Sequence, residues 1–147
     1  MAHDMIEREI IIDAPVSRVW DALTVPELIS SWFGDHAEID LRPGGAASFT
    51  WNDFGSFLIT VERVEPQSIF AYRWAREANQ QPTAGNSTLV EFTLTPEGDG
   101  TRLRVVETGF ASLALPEEEQ TRNWEMNTQG WREELDELRE FAQRVAA

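Results

Sequence analysis

A change of periodicity divides this sequence into two parts and limits the folds that it can adopt. From Gly34 to about residue 108, apolar side chains recur at every second position in successive short runs, as in Ala47, Phe49 and Trp51. Such runs predict β-strands with one buried face. After Pro116, apolar residues recur at steps of three and four, which predicts one long amphipathic helix over residues 117–146. A long antiparallel sheet followed by one helix predicts a two-layer α+β fold.

Turn signals separate the period-two runs and predict antiparallel pairing of neighbouring strands. Four segments are short and contain Pro or Gly, and a polar loop with Pro82 and Gly85 runs over 77–87. The four short segments are 42–45, 52–55, 65–68 and 96–100. We therefore expect about six strands in this part of the chain.

The region before the sheet predicts one strand and two short helices. Residues 6–12 are rich in isoleucine and predict a strand. Residues 15–23 show helical spacing of apolar residues, and Thr24 with Glu27 matches a capping box that opens a second short helix through about Ser31.

Composition excludes several classes of protein. The 147 residues match the size of one domain, which we expect to cover 1–147. A net charge of −14 disfavours nucleic acid and anionic membranes as partners. No run approaches the roughly 20 apolar residues of a membrane-spanning helix, and no secretory signal is evident. The expectation is a soluble, acidic, cytoplasmic protein.

The sequence offers few groups for metal binding or catalysis. There is no cysteine, and the two histidines, His3 and His36, are far apart, so no zinc-binding spacing occurs. No phosphate-binding glycine loop and no Gly-x-Ser-x-Gly motif is present. We expect neither a metal nor a cofactor. Asp35 and His36 could form an acid–base pair at a pocket mouth, although a solvent-exposed histidine in a loop is the simpler interpretation.

Several local motifs follow one another in an order and spacing that cover nearly the whole chain. They are 14–23, Trp32, 43–45, 61–66 with 72–74, 108–110 and 130–135. Together they resemble the START/Bet v 1-like (SRPBCC) superfamily, in the branch related to the activator of the heat-shock-protein-90 ATPase. The resemblance implies a helix-grip fold, in which a curved antiparallel sheet wraps around the C-terminal helix and leaves a cavity. Members bind or transform apolar small molecules or act as co-chaperone domains, and no universal catalytic residue is implied.

Aromatic residues dominate the predicted inner faces of the sheet and the helix. They either fill the core or line a ligand cavity, and both interpretations remain open. Trp32, with Phe33, is an apparent surface aromatic that could serve as a dimer contact or a pocket lid. The candidate ligand-binding aromatics are Trp32, Phe49, Trp51, Phe57, Tyr72, Trp74, Phe92, Trp124 and Trp131.

Three polar residues fall on the same apolar faces and complete the candidate site. Glu107 continues the face of Leu103 and Val105, while Asn127 and Thr128 lie between two tryptophans of the helix. An unpaired buried carboxyl would have a raised pKa and could act as an acid or base, or orient a ligand. The alternative is that Glu107 pairs with an arginine near the sheet rim and that Asn127 and Thr128 bond to backbone or water.

These features leave three hypotheses for function. The first is a domain that binds an apolar or aromatic small molecule between the sheet and the helix, without catalysis. The second is an enzyme of polyketide cyclase, dehydratase or hydrolase type, with Glu107 as acid or base and Asn127 or Tyr72 orienting the substrate. The third is a co-chaperone-like module that binds another protein or a second copy of itself.

Overall fold

The computed structural model describes residues 4–146 and places them in one antiparallel sheet and three α-helices. The strands are β1 (Met5–Ile12), β2 (His36–Ile39), β3 (Ala46–Trp51), β4 (Gly55–Glu65), β5 (Ile69–Ala75), β6 (Ser87–Glu97) and β7 (Gly100–Thr108). The helices are α1 (Val16–Thr24), α2 (Pro26–Ile29) and α3 (Glu117–Ala146), with a 3₁₀ helix over Phe110–Ser112.

The seven strands lie in the order β1-β7-β6-β5-β4-β3-β2, and every neighbouring pair is antiparallel. Apart from the closure of β1 onto β7, each strand pairs with its neighbour in the chain, because short turns favour this arrangement. The sheet curves around α3, so the predicted α+β helix-grip fold is confirmed.

The core lies between the inner face of the sheet and α3. Helix α3 contributes Trp131, Leu135 and Leu138, each at most 3% exposed. Strand β5 faces them with Phe70 and Tyr72, each 1% exposed. Burial of these apolar surfaces is the main force that holds the helix in the sheet.

The outer face of the sheet carries charged pairs between β1 and β7. The Arg102 Nη1 atom lies 2.5 Å from Glu9 Oε1, and Arg104 pairs with Glu7. These arginines point away from the core because side chains alternate along a strand. Exposed pairs of this kind contribute little stability individually.

Three local predictions were wrong. Helix α1 continues through Thr24, whose Oγ1 donates to the Trp20 carbonyl oxygen at 2.8 Å, so Val25 rather than Thr24 caps α2. The helix α2 ends at Ile29, two residues before the predicted end at Ser31. The predicted loop around His36 is instead the short strand β2, whose side chains were too few and too polar to show a clear period.

Helix α3 carries one carboxyl in an unfavourable place. Glu134 is half-buried, and its Oε2 atom is buried without a hydrogen-bond donor among the described residues. Burial, together with the smaller effect of the neighbouring charges of Glu137 and Glu133, raises the pKa of Glu134 to about 7. Glu134 is therefore a site where ionisation opposes folding.

The variant Glu134→Gln is expected to be more stable than the wild type at pH 8 and equally stable at pH 4.5. The pKa of Glu134 is higher in the folded state than in the unfolded state. The stability that protonated Glu134 contributes is therefore complete at low pH and is lost as pH rises through about 7. Because solvent screens a half-exposed group, we expect a gain of only about 1 kcal/mol at pH 8. Thermal melts at both pH values measure this, with the exposed Glu140→Gln as control. An equal gain at both pH values would contradict the assignment.

Candidate functional site

A cleft of about 420 Å³ opens between one end of the sheet and helix α3. Its volume lies within the range of small-molecule sites, and its lining is mostly apolar, as is usual for such sites. The lining residues are Trp51, Phe54, Phe57, Trp74, Ala75, Arg76, Thr88, Phe110, Leu113, Asn123, Met126, Asn127 and Gly130.

Aromatic rings from three adjacent strands form the sheet side of the cleft. Trp51 ends β3, Phe57 is the third residue of β4, and Trp74 stands near the end of β5, so the hairpin and the sheet register bring their side chains together. The Trp51 and Phe57 rings meet edge to face with centroids 5.5 Å apart, and Phe57 lies 6.4 Å from Trp74. An edge-to-face contact such as that between Trp51 and Phe57 fixes the orientation of the rings and also buries apolar surface.

Gly34 lets the chain pass close to Trp51. It adopts φ +76°, a left-handed conformation that favours glycine, and an added Cβ would lie 2.9 Å from the Thr50 carbonyl oxygen and 3.3 Å from the Trp51 ring. Only glycine allows the chain after α2 to pass this close to β3.

The helix side of the cleft contains a gap at Gly130. A Cβ built at this position meets no atom within 4 Å, so the helix leaves open space here. Met126, one turn earlier, is 66% exposed, and Phe54 at the β3–β4 turn is 74% exposed. The cleft is therefore open at its rim, where two large apolar side chains reach solvent.

A fully buried carboxyl group lies behind the cleft. Glu107 is 0% exposed, and its Oε1 accepts hydrogen bonds from Trp131 Nε1 at 2.8 Å and Asn127 Nδ2 at 3.2 Å. Its Oε2 accepts from Trp74 Nε1 at 2.9 Å, Thr88 Oγ1 at 2.5 Å and Asn127 Nδ2 at 3.1 Å. Four neutral donors thus surround one carboxyl.

Burial raises the pKa of Glu107, while hydrogen bonds from Thr88, Trp74, Trp131 and Asn127 lower it and offset part of the effect. The expected arginine partner is absent from these hydrogen bonds, so that interpretation of Glu107 was wrong: the β7 arginines point outward instead.

Tyr72 shares the environment of this carboxyl. Burial raises its pKa well above the usual value, and the charge of Glu107 acts in the same direction. Tyr72 therefore stays protonated across the physiological pH range.

The carboxyl orders the cleft although it does not line it. Trp74, Thr88 and Asn127 each bind Glu107 and each line the cleft. One buried group therefore fixes three side chains that come from β5, β6 and α3. Hydrogen bonds behind a site of this kind set the orientation of the residues that face a ligand.

Comparison with known proteins identifies the family. The sequence model described as Activator of Hsp90 ATPase homolog 1-like protein matches residues 13–143. The chain belongs to this family. The resemblance inferred from the motifs is thereby confirmed. No curated protein has significant sequence similarity to the chain.

Solved structures share the fold of the Activator of Hsp90 ATPase homolog 1-like family. Protein MLL2253 from Mesorhizobium loti is 28% identical, with a TM-score of 0.81 over 97% of this chain and 99% of that one. CalU16 from Micromonospora echinospora is 29% identical, with a TM-score of 0.63 over 94% and 74%. The Aha1 dimer from Colwellia psychrerythraea is 18% identical, with a TM-score of 0.78 over 96% and 97%, which shows the fold alone. Family and neighbours support a ligand-binding domain in general terms.

The structure of this family member divides the predicted site residues into two groups. Four of them line the cleft: Trp51, Phe57, Trp74 and Asn127. The others lie outside it, within the core or beside it: Trp32, Phe49, Tyr72, Phe92, Glu107, Trp124, Thr128 and Trp131.

The hydrogen bonds of three residues outside the cleft show what each does instead. Trp32 Nε1 donates to the Ala22 carbonyl oxygen at 2.8 Å, and Trp32 is 6% exposed, so it is not a surface aromatic. Phe33 is buried as well, at 5%. Trp124 Nε1 donates to the Met5 carbonyl oxygen at 2.8 Å, and Thr128 Oγ1 donates to that of Trp124 at 2.7 Å, the backbone bond expected for a threonine on a helix.

The Asp35–His36 alternative has no geometric support. Asp35 Oδ2 accepts the backbone N–H of Asn52 at 2.7 Å, and His36 is exposed on β2. His3 lies outside the described residues. Within residues 4–146, no group of three or more His, Asp or Glu side chains is placed to hold a metal ion. No helix in the described part of the chain is long and apolar enough to cross a membrane.

Several residues of the cleft were not recognised from the sequence. Arg76 continues the inward face of β5 two positions after Trp74, and Gly130 and Met126 share a face of α3 with Asn127. Extending the alternation of β5 by two positions beyond Trp74 would have placed Arg76 on the inner face. The open space at Gly130 has no sequence signal.

Proposed function

We propose that this chain binds an apolar or aromatic small molecule in the cleft between the sheet and α3. The observation that carries the proposal is the aromatic, partly open cleft of about 420 Å³ whose walls are fixed by the buried Glu107. Flat rings would pack against Trp51, Phe57 and Trp74, and the space beside Gly130 would receive the opposite face of the molecule.

Glycine at position 130 supports this proposal energetically. Within a helix, glycine is roughly 1 kcal/mol less favourable than alanine. Here it contributes no turn and no close backbone approach, because open space surrounds it. The absence of a side chain at Gly130 makes the cleft wider at this point.

The variant Gly130→Leu is expected to weaken binding of a neutral aromatic probe, 2-naphthamide, at least tenfold. The leucine side chain would fill the cleft, while its better helix propensity would leave the fold intact or more stable. Isothermal titration calorimetry measures the affinity, and a thermal melt verifies folding.

Two matched variants test the steric argument. Gly130→Ala is expected to weaken binding less than Gly130→Leu, because it adds a single methyl group. Gln129→Leu adds an apolar side chain to the adjacent exposed position and is expected to leave affinity within twofold. Equal binding by the wild type and Gly130→Leu would contradict the cleft as the site.

The geometry favours binding over acid–base catalysis by Glu107. A catalytic carboxyl must come within hydrogen-bond distance of the substrate. Glu107 does not line the cleft, and both of its oxygens already accept hydrogen bonds. We assign it the role of a positioning residue. Partnership with another protein, or self-association as in the Aha1 dimer, stays a prediction.

A further inference from the structure

Arg76 is the only charged side chain among the described residues that line the cleft. It follows the last residue of β5, and its backbone N–H still donates to the Asn86 carbonyl oxygen at 2.8 Å. The extended pairing keeps Arg76 on the same face as Trp74, two positions earlier. Strand β5 thus places an arginine directly beyond the aromatic wall, which is the sheet side of the cleft formed by Trp51, Phe57 and Trp74.

The guanidinium group of Arg76 is only partly satisfied. Its Nη1 donates to Glu77 Oε1 at 2.6 Å, at a position where the Glu77 side chain is 52% exposed. Its Nε atom is buried and has no acceptor among the described residues, although the side chain as a whole is 27% exposed. A buried N–H without an acceptor is unfavourable, and most such groups in proteins are paired.

The unpaired atom belongs to the edge of the guanidinium that best fits a carboxylate. The Nε–H bond and one Nη2–H bond leave this edge in parallel and can bind both oxygens of a carboxylate. Glu77 occupies Nη1, which does not belong to that edge. The ion pair with Glu77 therefore fixes the arginine while leaving its paired donors for another acceptor.

The charges around the cleft determine which way such a ligand would lie. Glu107 is buried behind Trp74 and Thr88, so the inner end of the cleft disfavours a second negative charge. Arg76 stands at the partly exposed end, next to the exposed Glu77. An anionic group would bind at this end, and an apolar body would lie against the aromatic wall.

We propose that the ligand of the cleft is an aromatic or apolar molecule with a carboxylate, which the Nε edge of Arg76 binds. This inference rests on the proposed function and adds the chemical class of the ligand. Arginine would select a planar anion through a pair of parallel hydrogen bonds, whereas the aromatic wall would accept the apolar body of acid and amide equally.

The test compares 2-naphthoate with 2-naphthamide, which have the same ring system and differ in charge. By calorimetry at pH 7.5, the wild type is expected to bind the acid at least tenfold more tightly than the amide. Arg76→Gln is expected to remove this preference, so that it binds the two probes with affinities within twofold of each other. Arg76→Lys, which keeps the charge but loses the paired donors, is expected to retain only part of the preference.

Arg73→Gln is the matched control, because Arg73 lies on the opposite face of β5 and its Nε is 3.4 Å from Glu62 Oε1. It should leave the preference unchanged. Equal binding of both probes by the wild type, or an unchanged preference in Arg76→Gln, would overturn the carboxylate site while the cleft remains a binding site. No binding of either probe at about 1 mM, which corresponds to roughly −4 kcal/mol, would overturn the proposed function and the carboxylate site together.

Discussion

The variant Glu107→Leu is expected to unfold about 3–4 kcal/mol more easily than the wild type at pH 7, which corresponds to a fall in Tm of roughly 10 °C. Leucine nearly preserves the volume but offers no acceptor. Trp131 Nε1 would lose its bond to Glu107, and Asn127 Nδ2 would lose both of its bonds to the carboxyl. Trp74 Nε1 would be less affected, because it also lies 3.1 Å from Thr88 Oγ1.

The cost should depend on pH in a definite direction. Burial raises the folded-state pKa of Glu107 above its unfolded value, so its contribution to stability is complete at low pH and declines as pH rises through the folded pKa. Denaturant melts should therefore show a larger loss for Glu107→Leu at pH 5 than at pH 8.

Two further variants keep this test interpretable. Glu107→Gln retains one acceptor oxygen and is expected to lose less stability than the leucine variant. Glu91→Leu, on the outer face of the neighbouring strand, should change stability by no more than about 0.5 kcal/mol. A similarly small change in Glu107→Leu would mean that the four donors find other acceptors.

The variant Trp131→Ala is expected to lower the free energy of unfolding by about 3–5 kcal/mol. Trp131 is 3% exposed, stacks on Phe33 with centroids 6.0 Å apart and meets Phe92 edge to face at 5.6 Å. Alanine would leave a cavity between α3 and the sheet and remove one donor to Glu107. Denaturant melts measure the loss. A value near 1 kcal/mol would show that solvent already reaches this side chain.

Comparison variants separate packing from hydrogen bonding at this position. Trp131→Phe keeps much of the ring contact but loses the N–H group, so a cost of about 1–2 kcal/mol is expected. Trp124→Ala, on the same helix but only half-buried, should cost less than Trp131→Ala. Combining Trp131→Phe with Glu107→Leu should give a total below the sum of the two losses, because both remove the same hydrogen bond.

Most of the fold could be predicted from local patterns. Alternating residues marked the inner faces of β3 to β7, and three-four spacing marked α3, because each pattern reflects one buried face of a long element. The strand β2 escaped prediction because its four residues are too short a run for a period. The prediction that Thr24 caps α2 was wrong because its hydroxyl bonds to a carbonyl oxygen of its own helix, α1.

The candidate site was less accessible from the sequence, because it depends on what meets across the sheet. Alternation placed Glu107 on the inner face but could not identify its partners, which come from three other elements. The alternative of an arginine partner near the sheet rim was wrong, because the β7 arginines Arg102 and Arg104 stand on the opposite face. Arg76 was missed because it is a charged residue beyond Trp74, the last aromatic residue of the alternating run.

The pairing of β1 with β7 has a consequence for how the chain matures during synthesis. Met5 lies opposite Thr108, so the first strand has no partner until the last strand has left the ribosome. At about 5–20 residues per second, β1 waits roughly 5–20 s while five other strands become available to pair. The N-terminal strand must therefore join late, as the step that completes the sheet, and non-local closure of this kind makes folding slow. Until then the apolar side chains of β1 have no sheet to pack into.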